Sequence, residues 1–158
     1  MIHKQLTPHI HNILTFPGYA IAIDLFFKHD HKFRIISIYL PCENSQLRLQ
    51  IQNTIIQWIQ QATNRNIQPI ILGDFNVPPN NSTSSSIKYK LLQFLQYNNI
   101  YDLANHTNTS SYTWHSSRHH STIDYIWAHL PLLKYLNSFY LDDAENCTQS
   151  DHKILISS

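Results

Sequence analysis

The sequence predicts a single mixed α/β domain, and three observations lead to that prediction. Short runs rich in isoleucine and aromatic residues, typical of strands, alternate with stretches of helical periodicity. The chain has 158 residues, the usual size of one domain. Of these residues 42% are hydrophobic and 12% aromatic but only 13% charged, which favours a packed core over a disordered chain.

The first predicted elements form a strand hairpin. Residues 19–27 are an almost continuous apolar run, which indicates a strand buried on both faces. A polar turn over residues 28–32 separates it from a second strand over residues 33–40, which ends at Pro41.

A long helix is predicted next, with Asn44 or Ser45 as its N-cap. Its apolar residues recur on one stripe: Leu47, Ile51, Ile55, Trp58, Ile59 and Ala62. The run Ile70-Ile71-Leu72 then predicts a short buried strand that ends at Gly73.

The second half of the chain continues the mixture of helix and strand. Residues 80–86 are polar and serine-rich and predict a loop, followed by an amphipathic helix capped by Ser84 or Ser85. The apolar face of that helix carries Ile87, Leu91, Phe94 and Leu95. Three further strands are predicted over residues 123–128, 135–141 and 153–156. The resulting order, β-β-α-β-α-β-β-β, is a mixed α/β domain in which strands outnumber helices.

Charge and apolar content restrict where the protein can act. The formal net charge is +1, so strong non-specific affinity for nucleic acid is not expected. No signal peptide is recognisable, and no apolar run approaches the roughly 20 residues that span a bilayer. Cys42 and Cys147 can pair, but two reduced thiols are the simpler interpretation. An intracellular protein without membrane association is expected, and the nucleus is a compatible location.

Three aspartates stand at or near the ends of predicted strands. Asp74 follows the strand that ends at Gly73, Asp124 lies within an apolar strand, and Asp151 precedes His152. Each alone is better explained as a turn cap or a half-buried strand residue. Together, an Asp–His pair, a second Asp and an amide such as Asn76 form a coherent hydrolytic set. Carboxylates with oxygen neighbours suit Mg²⁺.

The motifs that contain these residues resemble the endonuclease/exonuclease/phosphatase superfamily. They are Ile71-Leu72-Gly73-Asp74-Phe75-Asn76, Tyr112-Thr113-Trp114 followed by Ile123-Asp124-Tyr125-Ile126, Ser150-Asp151-His152 and, earlier, Ser37-Ile38-Tyr39-Leu40-Pro41. The Thr-Trp pair before the Ile-Asp-Tyr-Ile block is most similar to endonuclease domains of non-LTR retroelements. The resemblance extends from about Pro17 to the C-terminus, and it implies a four-layered α/β sandwich that hydrolyses phosphoesters with Mg²⁺ or Mn²⁺.

The resemblance also implies a role for each matching residue. Asp74 corresponds to the base or the orienter of the attacking water. Asn76 corresponds to a hydrogen-bond donor to the scissile phosphate or to the water, and Tyr39 to a donor to a phosphate oxygen. Asp124 corresponds to the partner that orients His152, and His152 to the imidazole that stabilises the pentacovalent phosphorus.

Two departures from the family pattern are visible. Asp151 corresponds to a metal ligand, but the glutamate that is the family's principal ligand precedes the Tyr39 strand, and no glutamate does so here. The chain contains only Glu43 and Glu145, and neither matches. The arginine that usually precedes the Ile-Asp-Tyr block is Thr122.

Because the strand that carries the missing glutamate is not found, the sandwich is expected to be incomplete at its N-terminus, with impaired activity. The missing N-terminal strands would normally cover Ile21, Ile23, Leu25 and Phe27. These residues are therefore expected to form a new exposed edge that favours self-association.

The segment after Thr113 holds the candidate substrate contacts. Arg118 is a candidate for a phosphate contact, and Trp114 is either a stacking platform or part of the core. His115, His119 and His120 lack the companion cysteines and the helical context of a typical zinc site.

Three functions remain compatible with the sequence. The first is a retroelement-type endonuclease that acts on DNA rather than RNA. The second is an inactive remnant with weak nucleic-acid binding. The third is a phosphoesterase of the same superfamily with a substrate other than nucleic acid.

Overall fold

A computed structural model describes residues 2–78, 86–109, 111–143 and 150–158. Its centre is a six-stranded sheet in the order β1-β2-β3-β4-β8-β5, in which only β3 and β4 run parallel. The strands are β1 (Ile10–Phe16), β2 (Ala20–Phe26), β3 (Lys32–Tyr39), β4 (Gln68–Asp74), β5 (Ile100–Asp102) and β8 (Asp124–His129). The α/β architecture with a central sheet agrees with the predicted fold class.

Two helices cover one face of this sheet. Helix α1 (Ser45–Thr63) is capped by Asn44, one of the two predicted N-cap residues, whose side-chain oxygen accepts the N–H of Leu47 at 2.9 Å. Helix α2 (Lys90–Tyr97) follows a 3₁₀ turn at Ile87–Tyr89, so the predicted helix starts later than Ile87. The predicted caps Ser84 and Ser85 and most of the predicted loop lie outside the described residues. The core between helices and sheet includes Ile36, Ile51, Ile55, Ile71 and Tyr125.

A smaller sheet lies beside β8 on the opposite face. It consists of β9 (Phe139–Asp143) and β10 (Lys153–Ser157), which pair antiparallel. Leu141 and Leu155 from this sheet pack in a second core with Ile126 and Ala128 of β8. Strand β8 therefore contributes to both cores, because successive side chains of a strand point to opposite faces.

Short elements complete the chain. They are α3 (Leu103–His106) and the hairpin of β6 (Trp114–His115) and β7 (His120–Ser121). No helix in the described ranges is long and apolar enough to cross a membrane. Cys42 is an exposed free thiol, and Cys147 lies outside the described residues.

Two predictions about the strands are wrong. The strand at residues 20–26 is not a sheet edge, because β1 pairs along its whole length and takes the edge position. The run predicted as a strand over residues 135–141 begins inside a 3₁₀ helix at Leu130–Tyr135, and the strand starts only at Phe139. Pro131, near the start of that helix, has the fixed φ that favours a helical turn.

Candidate active site

Three polar side chains form a row across the central sheet. Tyr39 pairs with Asp74, and Asp74 pairs with Asp124, so all three point to the face opposite α1. The parallel strands β3 and β4 both end at this row, and the antiparallel strand β8 begins there. Neighbouring strands lie about 4.8 Å apart, so the topology alone brings the two carboxylates together.

His152 completes this cluster from the start of the β10 segment. Its Nδ1 lies 2.9 Å from Oδ2 of Asp124, and the two side chains are 33% and 16% exposed. The carboxylate therefore fixes the orientation of the ring and leaves Nε2 directed away from Asp124. The backbone N–H of His152 donates to Oγ of Ser150 at 3.1 Å, which holds the turn before it.

Asn76 holds the carboxylate of Asp74. Its backbone N–H donates to Oδ1 of Asp74 at 2.8 Å, and its side-chain amide donates to Oδ2 at 3.1 Å and to the carbonyl of Leu40 at 2.8 Å. Asn76 has a φ of +50°, a conformation that asparagine tolerates better than most residues. In this structure the amide thus orients Asp74.

The electrostatic environment makes Asp74 more basic. Burial raises the pKa of Asp74, and the nearby carboxylate of Asp124 also raises it. The backbone N–H of Asn76 and the side chains of His152 and Arg48 lower the pKa of Asp74. A carboxylate with a raised pKa is a stronger base than an exposed one, which suits proton abstraction from water.

Asp151 lies on the far side of the His152 ring. Its Oδ1 is 3.9 Å from Nε2 of His152, and its Oδ2 accepts the indole N–H of Trp114 at 2.7 Å. The hydrogen bond from Trp114 is the main reason that the pKa of Asp151 is lowered. Trp114 is only partly buried, so it belongs to the rim of the site and not to either core.

The donor set fits a divalent metal ion. Asp74, Asp124 and His152 each offer a ligand atom, and these atoms lie within 4.8 Å of one another. Mg²⁺ in such sites uses one or two carboxylates with waters and substrate phosphate, so Asp74 and Asp124 are suitable holders. Asp151 does not belong to this group of three. Glu43 is exposed outside it, and Glu145 lies outside the described residues.

The remaining predicted residues lie around this centre. Tyr39 is exposed at the end of β3, and its ring stacks on Tyr19 with centroids 6.3 Å apart. Arg118 is exposed in the turn of the β6–β7 hairpin. At the base of that hairpin, the ring of Tyr112 stacks on the ring of His120, with centroids 4.9 Å apart. The Nζ atom of Lys153 lies 4.2 Å from the centroid of the Tyr112 ring.

Two supporting residues were not predicted from the sequence. Oγ1 of Thr113 accepts the backbone N–H groups of Ile123 and Asp124, both at 3.0 Å. The buried guanidinium of Arg48 donates to the carbonyl oxygens of Pro41 at 3.0 Å and Phe75 at 2.6 Å, just after the ends of β3 and β4. The signal for Arg48 was its position within the apolar stripe of α1.

An endonuclease/exonuclease/phosphatase family model, described as endonuclease-reverse transcriptase, matches residues 33–156. No curated protein sequence matches the chain significantly.

Three solved structures illustrate the structural similarity. The 3′ phosphatase NExo from Neisseria, bound to a product DNA hairpin, has a TM-score of 0.72 and 16% identity over 94% of this chain and 70% of its own. An AP endonuclease from Archaeoglobus fulgidus gives 0.70 and 18% over 94% and 70%. The endonuclease domain of TRAS1, a telomere-specific non-LTR retrotransposon, gives 0.65 and 14% over 93% and 68%. At these identities the similarity concerns the fold.

Proposed function

Because the chain belongs to the endonuclease/exonuclease/phosphatase superfamily, we propose that it hydrolyses phosphodiester bonds of DNA as a metal-dependent, retroelement-type endonuclease domain. One observation carries the proposal: the His152–Asp124 pair lies beside the carboxylate of Asp74 at the exposed end of the sheet. A base and an oriented imidazole therefore face the same space.

In the proposed reaction, water attacks the phosphorus and the bond to the leaving oxygen breaks. Asp74 accepts a proton from the attacking water, and Asn76 holds its carboxylate in place. Protonated His152, oriented by Asp124, donates a hydrogen bond from Nε2 to a phosphate oxygen as negative charge develops there. The leaving oxygen departs with the bonding electron pair and takes a proton from solvent. The exposed hydroxyl of Tyr39 is a second donor at the same end of the row. Asp74 and Asp124 would hold a divalent ion, Mg²⁺ or Mn²⁺, which would supply positive charge to offset that of the phosphate.

Several features favour DNA as the substrate. Two similar structures, the Neisseria 3′ phosphatase and TDP2 from D. rerio, contain DNA products. The β6–β7 hairpin stands at the rim of the site, and the exposed guanidinium of Arg118 in its turn suits a contact with a phosphate of a bound strand. The net charge of +1 predicts weak, salt-sensitive binding.

A second candidate is nucleic-acid binding without hydrolysis. It is favoured by the donor group, which holds two aspartates and a histidine but no glutamate among the described residues. Loss of one carboxylate weakens metal binding in such sites, because few protein ligands hold Mg²⁺.

Nicking of supercoiled plasmid in Mg²⁺ or Mn²⁺ distinguishes the two candidates. We expect weak nicking that EDTA and His152→Ala abolish and that His106→Ala, a substitution of an exposed histidine on α3, leaves unchanged. Nicking that survives His152→Ala or EDTA contradicts the proposal. Plasmid binding without any nicking favours the second candidate.

A further inference from the structure

The segment Thr113–Trp114 forms hydrogen bonds with two other segments of the candidate site, the start of β8 at Asp124 and residues 151–153. On one side, Oγ1 of Thr113 accepts the N–H of Asp124 at 3.0 Å. On the other, the carbonyl of Thr113 accepts the N–H of Lys153, next to His152, at 2.7 Å. Thr113 is 2% exposed, so these hydrogen bonds are shielded from water.

Trp114 extends this connection to Asp151. Its indole N–H donates to Oδ2 of Asp151 at 2.7 Å, and its backbone forms a bridge with His152. The next residue, His115, donates its backbone N–H to the carbonyl of Asp151 at 3.0 Å. Both the side chain and the backbone of Asp151 are therefore held by β6.

This contact matters because Asp151 is otherwise exposed. An exposed aspartate samples several rotamers, and a hydrogen bond to a rigid indole selects one of them. The selected rotamer turns Oδ1 toward Nε2 of His152, at 3.9 Å, on the side of the site where phosphate is proposed to bind.

We infer that Trp114 is a positioning residue: its indole N–H donates to the carboxylate of Asp151 and so holds that carboxylate beside His152, a member of the group of three residues that would hold the divalent ion. The inference rests on the proposed metal-dependent function. Hydrogen-bond partners of metal-binding groups typically change metal affinity by about 10- to 100-fold, so loss of the indole N–H is expected to weaken binding by that factor.

The contact is tested without metal by NMR of ¹⁵N-labelled protein. The chain has three tryptophans, and each indole N–H is assigned by a Trp→Phe variant. Asp151→Asn is expected to shift the Trp114 indole resonance and to leave those of Trp58 and Trp127, both in the core under the helices, unchanged. An unmoved Trp114 resonance overturns the inference.

The consequence is tested by Mn²⁺ binding, measured from the EPR signal of free Mn²⁺. Trp114→Phe keeps the aromatic ring but removes the donor, and we expect about 10- to 100-fold weaker binding. Unchanged Trp58 and Trp127 resonances confirm that the variant is folded. The double variant Trp114→Phe/Asp151→Asn is expected to bind no more weakly than Asp151→Asn, because both changes remove one interaction.

The outcomes separate this inference from the proposed function. Equal Mn²⁺ affinity of the wild type and Trp114→Phe overturns the role of Trp114 and leaves the proposed function intact. Absence of Mn²⁺ binding by the wild type overturns both.

Discussion

His152 and Asp124 are 28 residues apart in the chain, yet Nδ1 of His152 lies 2.9 Å from Oδ2 of Asp124. The pair forms because β8 begins at Asp124 and the bridge between Trp114 and His152 places the start of β10 beside the β6–β7 hairpin. The imidazole is thereby fixed by one nitrogen, and the other remains available for substrate.

Asp124→Asn is expected to reduce nicking activity about 10²- to 10⁴-fold, the usual contribution of a positioned acid–base group. The amide keeps the size of the side chain but loses the negative charge that faces Nδ1 of His152 and fixes its ring. Plasmid nicking by purified variants measures the loss. The matched control is Asp142→Asn, on the exposed side of β9. Equal activity of the two variants contradicts the proposed role of the pair.

A second ion pair stabilises the opposite end of the sheet. Arg34 donates from Nε and Nη2 to both carboxylate oxygens of Asp24, at 2.6 and 2.7 Å, and from Nη1 to the carbonyl of Trp58 at 2.7 Å. Both side chains are 1% exposed. Arg34→Met is expected to lower the free energy of unfolding by about 3–5 kcal/mol, because it leaves a buried carboxylate without its partner.

The control for this prediction is Arg65→Met, at an exposed position after α1. The double variant Asp24→Leu/Arg34→Met is expected to recover most of the loss, since an apolar pair needs no compensation. Urea unfolding measures all three variants. A single variant as stable as the Arg65→Met control contradicts a structural role for the ion pair.

The sequence predicted the elements whose patterns are simple. The apolar stripe of α1 and the Ile70-Ile71-Leu72 run gave helix and strand directly, although β4 extends over Gln68–Asp74. Strand β1 was missed because His11 and Asn12 interrupt its apolar residues, and Asn12 in fact faces Asp24 with Nδ2 3.5 Å from Oδ2. Long-range polar partners of this kind leave no local pattern.

The candidate site, too, could be predicted from the sequence only in part. Its main residues were found because ordered motifs resemble those of a known family, and the structure brings Tyr39, Asp74, Asn76, Asp124 and His152 to one end of the sheet. The contact of Trp114 with Asp151 was not predicted, because 37 residues separate the two and a tryptophan is more often a core residue.

The sheet face opposite the helices is expected to support self-association. Ile13 and Ile21 are 53% and 40% exposed, whereas their strand neighbours Leu14 and Ala22 pack in the helix-side core. Exposed apolar patches of this kind favour association. Sedimentation velocity is expected to show concentration-dependent association that Ile21→Lys weakens and Tyr97→Lys, at the end of α2, does not. A stable wild-type monomer contradicts this prediction.

Gly73 is required for the approach of β3 to β4. A Cβ at this position would overlap the backbone carbonyl of Ile38, and the φ of +129° is unfavourable for other residues. Gly73→Ala is expected to cost about 3 kcal/mol or more, because a backbone clash in a central strand requires the strands to move. Gly18→Ala is the control, since its φ is +79° but no atom lies within 4 Å, and its cost is expected to be about 1 kcal/mol. Equal losses in urea unfolding would show that the close approach is unimportant.

Asp102 is expected to make stability depend on pH. Burial raises the pKa of Asp102 from 3.8 to about 6, against the backbone N–H groups of Ala104 and Asn105, which lower it. Between these two pKa values the folded state holds the proton more firmly than the unfolded state, so the free energy of unfolding falls as pH rises from about 4 to about 6.

The variant Asp102→Asn tests this dependence. It keeps an oxygen that accepts the Ala104 N–H, as Oδ1 of Asp102 does at 3.2 Å, but it cannot ionise. Relative to wild type, the variant is therefore expected to gain about 1–3 kcal/mol between pH 4 and pH 7. Urea unfolding of both proteins at the two pH values measures this difference, in which the titration of the histidines cancels. A difference that does not change with pH would mean that Asp102 titrates alike in the folded and unfolded chains.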